Sequence, residues 1–138
     1  MSAPAEGVVR APIVTDEDVV RLRKMVREDM VTLKFSLTEQ TKMVTAASEL
    51  ARNVLRYGGG GVAELEQVSR NGVMGVRVTF IDQGPGIADL ELALTDGYTT
   101  GGGMGLGLSG ARRLSDEFDV DSAPGKGTTV TITKWKPF

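Results

Sequence analysis

Four groups of residues in this chain combine side-chain types and spacings that suit chemistry. Glu49 and Asn53 stand four apart in "SELARNVLRY", which puts both on one face of a helix with Thr45 and Arg56. A carboxylate there can take a proton, and a carboxamide oxygen can ligate a hard cation such as Mg²⁺. The same pattern is also the solvated face of any amphipathic helix. "IDQGPGI" ends an apolar run with Asp82 and follows it with Gly84 and Gly86. That carboxylate can accept a hydrogen bond from an exocyclic amine, which separates adenine from guanine, while the glycines let backbone approach a flat ring. An ordinary turn would have the same composition. In "TTGGGMGLGLSGARRL", Gly101, Gly102, Gly103, Gly105 and Gly107 can aim successive N–H groups into one concavity, and a helix beginning near Gly105 adds its positive end. Together these make a phosphate cradle. A floppy linker is the plain alternative, but Leu106, Leu108, Ala111 and Leu114 follow at once with helical spacing. Last, "GKGTTVTI" sets Thr128 and Thr129 at the start of a strand, where a hydroxyl can hold a water against Asp82 and a base, although strand propensity alone accounts for both.

The elements that must position these groups are legible along the chain. "GVVRAPIV" suits a first strand, with Arg10 and Pro12 indicating an edge position. "TDEDVVRLRKMVREDMVTL" opens on Thr15 and an acidic first turn, and Val19, Leu22, Val26 and Met30 follow at helical spacing. Ser36 with Glu39 reads as a capping box, and the helix it starts carries Val44, Ala47, Ala51 and Val54 as its apolar stripe before the glycines 58 to 61 stop it. "VAELEQVSR" and "VMGVRVTFID" alternate as strands around Asn71-Gly72, the dipeptide of a tight hairpin turn. After the glycine-rich segment, a helix from about Gly105 to Leu114 precedes two strands around Pro124-Gly125. The expected order is β-α-α-β-β-loop-α-β-β. It implies an α+β fold, a two-layer sandwich with a mixed, mostly antiparallel sheet and helices packed on one face.

Composition narrows the chemistry further. With 138 residues the chain has the size of one domain, here expected over 1–138. A net charge of −2 without a Lys/Arg run argues against nucleic acid or an anionic membrane as the main partner. There is no cysteine and no histidine, so carboxylates, amides, hydroxyls and backbone must do the work. The N-terminal "MSAPAEGVVRAPIV" lacks the pattern of a secretion signal, which suggests a cytoplasmic protein.

Gly105, Gly107 and Gly110 satisfy G-x-G-x-x-G, yet no strand precedes them, so a Rossmann site is rejected. The protein-kinase glycine loop fails too, because no H-R-D or D-F-G occurs. The full set in its order is different. E-x-x-x-N on a helix, D-x-G-x-G after a strand, glycines running into a helix, and G-T-T on a strand resemble the GHKL ATPases with their Bergerat nucleotide site. Within that family, "SELARNVLRYGGGG", "DQGPGI", "LTDGYTTGGGMGLGLSGARRLSDEF" and "GKGTTVTITKW" look like the RsbT-type switch kinases, over residues 8 to 136.

The resemblance implies a serine/threonine kinase that uses ATP and Mg²⁺ to phosphorylate STAS-domain proteins in a stressosome-type partner-switching module, and that binds and activates a PP2C-type phosphatase when released. It implies Glu49 as catalytic base, Asn53 as Mg²⁺ ligand, Asp82 on the adenine amine, Gly84 and Gly86 around the base, and Thr128 completing that pocket. The run Gly101, Gly102, Gly103, Met104, Gly105, Leu106 and Gly107 would bind the nucleotide, with Gly103, Gly105 and Gly107 closing a lid on the phosphates. From Ile87 to Ala111 there is no Lys or Arg. Phosphoryl transfer needs charge neutralised, so Mg²⁺, backbone N–H groups or a docked partner must supply what such a lid lacks. The main alternative is an anti-sigma factor that uses nucleotide to hold its shape. A sensor-histidine-kinase catalytic domain shares the site but would need its phosphoaccepting histidine on another chain. A GHKL machine driven by dimer closure would need further domains.

Overall fold

The computed structural model describes residues 7–86 and 108–137. The described elements are β1 (Val8–Ile13), α1 (Asp16–Thr32), α2 (Leu37–Arg56), β2 (Gly61–Arg70), β3 (Val73–Asp82), α3 (Leu108–Leu114), β4 (Glu117–Ser122) and β5 (Thr128–Trp135). They form one five-stranded sheet in the order β1-β2-β3-β5-β4. Every neighbouring pair is antiparallel, so the expected mixed sheet gives way to an antiparallel one among the described strands. The reason lies in the connections. Two antiparallel helices, α1 and α2, carry the chain away from the end of β1 and back to it, so β2 starts opposite that end, with Ile13 against Gly61. The β2–β3 hairpin turns on Asn71 (φ 52°) and Gly72 (φ 81°), the conformation its dipeptide demands. β4 and β5 flank Pro124-Gly125 as expected. Pro12 sits on the edge strand β1, where a missing N–H is tolerated.

The helix caps differ from the expectation in one respect. The reciprocal capping box forms at Thr15 and Asp18 on α1. At α2 only half of it exists: Ser36 Oγ accepts from the Glu39 N–H at 3.2 Å, but the Glu39 carboxylate turns instead to Lys134 Nζ at 2.8 Å. Lys134 is buried, and a buried ammonium without an acceptor costs more than a cap contributes. Its remaining donors reach the Leu114 carbonyl (3.2 Å) and Asp116 (3.5 Å), tying α2, the end of α3 and the sheet together.

Helices pack on one face of the sheet. The core joins Val19, Leu22, Val26 and Met30 of α1 to Met43, Val44, Ala47, Leu50, Ala51 and Val54 of α2. Beneath them lie Ala63, Leu65, Val76, Val78, Phe80, Val130 and Ile132 of the strands. Leu108 and Ala111 bring α3 into the same cluster.

Candidate active site

Where the C-terminal end of α2 passes over the ends of β3 and β5, the core opens into a cavity of about 240 Å³. Its apolar walls are Leu50, Val54, Phe80, Leu108 and Val130, which are core residues continued to the surface. Its polar groups are few: Asp82 and Thr128 from the strand ends, and Asn53, Arg56 and Tyr57 from α2, with Pro85 and Gly86 closing one side. A mostly apolar slot with a few convergent polar groups suits a flat, amphipathic ligand.

Asp82 is fixed from two sides. Its carboxylate accepts the Gly84 N–H at 2.9 Å and the N–H of Thr128, the residue opposite it in the β3–β5 register. Burial nevertheless outweighs these bonds and holds the carboxyl above the usual aspartate range. Two N–H bonds leave lone pairs free, so the group presents an acceptor to the cavity. The end of α2 holds it there from above. A Cβ on Gly58 would lie 2.5 Å from Asp82 Cγ, so only glycine lets the helix end pass so close. Gly84 and Gly86 are packed against protein rather than lying open. A Cβ on Gly84 would lie 2.7 Å from Gly58 Cα, and one on Gly86 would meet the Ala123 carbonyl. In the sequence, Gly58 is one member of a helix-stopping glycine run, and nothing local marks it as the neighbour of Asp82. The Thr128 hydroxyl lies 2.8 Å from Ser122 Oγ on the neighbouring strand.

The α2 residues divide. Asn53 is half-buried on the cavity wall, and Arg56, three residues on, lines the cavity too. Glu49 is exposed one turn away, outside the lining, and pairs with Arg52 at 3.1 Å. The structure thus brings Asn53, Asp82, Gly86 and Thr128 together around one cavity, with Gly84 behind Asp82. The expected nucleotide-binding residues Gly101, Gly102, Gly103, Met104, Gly105, Leu106 and Gly107, and with them the first turn of the expected helix, lie outside the described residues.

Residues 38–137 match the family model described as "Histidine kinase-, DNA gyrase B-, and HSP90-like ATPase". The chain belongs to this family. Among the relatives of this GHKL-type ATPase domain, the serine/threonine-protein kinase RsbT of Bacillus subtilis (strain 168) is 42% identical over 89% of this chain and 92% of its own. The RsbT-type membership and the enzyme class that the motifs imply are therefore upheld. An anti-sigma F factor of Thermoanaerobacter sp. (strain X514) is 31% identical over 72% of this chain and 73% of its own. In structure, the RsbU and RsbW domains of a Mycobacterium tuberculosis protein align with a TM-score of 0.62 at 21% identity, over 98% of this chain. This chain spans 34% of that longer protein. The histidine kinase domain of a blue-light activated histidine kinase from Erythrobacter litoralis aligns with a TM-score of 0.52 at 20% identity, over 96% of this chain and 65% of that one. Both share the fold.

The GHKL-type residues fit the groups the family uses. An acceptor carboxylate beside an apolar slot suits a purine amine. Among the described residues no three Asp, Glu, His or Cys side chains cluster to hold a metal. The donor set at the cavity wall is one carboxamide, Asn53, with the Glu49 carboxylate a turn away. That suits Mg²⁺, which prefers phosphate and water oxygens over an all-protein cage.

Proposed function

We propose that residues 1–138 form a single ATP-dependent serine/threonine kinase domain that phosphorylates STAS-domain proteins in a cytoplasmic, stressosome-type partner-switching module. Released from that scaffold, it binds and activates a PP2C-type phosphatase. The observation that carries this reading is the Asp82 carboxylate, fixed by two N–H groups in a largely apolar cavity that Asn53 and Arg56 also line. Asp82 accepts the adenine amine, with Gly84, Gly86 and Thr128 shaping the base pocket. Asn53 holds Mg²⁺, which neutralises phosphate charge when bound. Gly101 to Gly107 wrap the phosphates, and Gly103, Gly105 and Gly107 close the lid.

Arg56 answers a difficulty in the sequence, whose segment Ile87 to Ala111 has no cation. Arg56 lines the same cavity from α2, and its cation is the one such charge there to offer the phosphates among the described lining residues. Glu49 takes the proton of the acceptor hydroxyl as that oxygen bonds to the γ-phosphorus and ADP leaves. For this, its pair with Arg52 must open, and a docked acceptor that displaces Arg52 makes transfer depend on the partner. Isolated chain then turns ATP over slowly.

Incubation with labelled ATP and a purified STAS-domain acceptor tests the reading. Label on a serine or threonine of the acceptor supports it. Tight binding of a sigma factor with no transfer would favour the second reading, a nucleotide-dependent anti-sigma factor, for which the similarity to an anti-sigma F factor speaks.

A further inference from the structure

Ser122, at the end of the edge strand β4, stands outside every motif the sequence offers, yet it touches the site through Thr128. Its Oγ donates to the Gly127 carbonyl at 2.9 Å and lies 2.8 Å from Thr128 Oγ1. A serine hydroxyl carries one proton. With that proton on the buried Gly127 carbonyl, the 2.8 Å contact is a hydrogen bond only if Thr128 donates to Ser122. The reverse arrangement would leave two oxygen lone pairs facing each other at 2.9 Å, between Ser122 and Gly127. Both short contacts are satisfied in one arrangement alone.

We infer that Ser122 is a specificity-determining positioning residue: by holding the Thr128 proton away from the cavity, it leaves Thr128 an acceptor there, as Asp82 is. The inference rests on the adenine-site reading above. Its consequence is chemical. Asp82 and Thr128 are opposite each other in the β3–β5 register and both line the cavity, so its polar floor offers lone pairs and no side-chain proton. An amino edge, directly or through a water, satisfies that floor. A keto oxygen in the same place against that floor, as on hypoxanthine or guanine, meets only the acceptors of Asp82 and Thr128 there. A Thr128 hydroxyl without its serine partner could turn its proton to such an oxygen, and part of the discrimination would vanish.

Rigidity at Gly127 makes this arrangement persistent. Gly127 is buried with φ 73°, and a Cβ there would meet the Asp82 carbonyl, so its own carbonyl is held in place for Ser122. The acceptor character of Thr128 is thus set by three strands and not by the motif that contains it.

Calorimetric titration of the wild-type chain, Ser122→Ala and Ser122→Thr with Mg-ATP and Mg-ITP tests this. The expected result is an ATP:ITP affinity ratio that falls about tenfold in Ser122→Ala, the scale of one hydrogen bond, and is restored by Ser122→Thr, which keeps the hydroxyl. A ratio unchanged in folded Ser122→Ala overturns the inference, including the case where both affinities drop together, which would mark a merely structural serine. Failure of folded Ser122→Thr to restore the ratio overturns it equally. If Ser122→Ala does not fold, the wild-type ratio set against that of Thr128→Val decides: equal ratios overturn the inference and a lower one in the variant supports it. A wild-type chain that binds neither nucleotide instead removes the adenine site itself, a result distinguishable from all the others.

Discussion

The two ends of the cavity are built differently. At the strand end, Asp82 is held by the N–H groups of Gly84 and Thr128, with Gly58 packed over it and Thr128 tied to Ser122. At the helix end, Asn53, Arg56 and Glu49 project from one face of α2, and Glu49 is exposed and pairs with Arg52. One end is organised before any ligand arrives, since its polar groups are held by backbone of adjacent strands. The other carries its amide and its charges on the side chains of a single helix. This division suits recognition of a rigid base and handling of phosphates whose charge changes during reaction.

Substitutions at the two ends should therefore fail in different ways. Asn53→Ala is expected to remove measurable Mg-ATP binding while leaving helical content intact, since alanine suits a helix position. Circular dichroism with calorimetry checks both halves, and normal affinity would break the assignment of the metal to the helix end. Glu49→Gln should retain nucleotide binding and lose about 10² to 10⁴ in transfer rate, the scale of a general base. Equal rates in the two proteins would return Glu49 to the solvated face. Gly58→Ala sharpens the comparison from the other side. Its methyl must displace Asp82, so ATP affinity should fall by about 10- to 100-fold, the scale of a lost hydrogen bond to a charged group, with Mg²⁺-dependent contacts untouched.

Smaller effects come from the charges. Removing Glu39 leaves Lys134 buried with one carboxylate fewer, and Glu39→Ala should cost about 2 kcal/mol in denaturant unfolding at pH 7. Lys134 holds the Glu39 carboxyl below its usual range. This stabilisation is thus present above the ordinary glutamate pKa and is lost as pH falls through the depressed folded value. Asp82 runs the other way. Its carboxyl is raised by burial, so the folded chain holds that proton more tightly, and the group's contribution to stability declines as pH rises from the ordinary aspartate value through the raised one. On the proposed assignment of Asp82 to the adenine amine, binding needs the ionised form. ATP affinity should then weaken severalfold on acidification, beginning at a higher pH than an unperturbed aspartate would give, and a profile that follows an ordinary aspartate would show that burial at Asp82 is not felt by the ligand.

Much of this was legible beforehand because it is local. The periodicity of Val19, Leu22, Val26 and Met30, the Asn71-Gly72 turn and the Thr15 cap are decided within a few residues of each other. The motif residues Asn53, Asp82 and Thr128 could be named for the same reason, since each carries its chemistry in its side-chain type and its place on a helix or strand. What the sequence left open are choices between partners far apart along the chain. Glu39 had a local role available at Ser36 and a distant one at Lys134, and the cost of a buried unpaired ammonium decided it. Gly58 is one of four adjacent glycines until α2 is laid over β3, when it becomes the residue that meets Asp82. Ser122 is a strand-end serine until the β4–β5 register sets it beside Thr128. Propensity and side-chain chemistry, being local, determined which elements form and which residues can react. Packing and strand register, which join residues dozens of positions apart, decided which of them meet and in what hydrogen-bonding state.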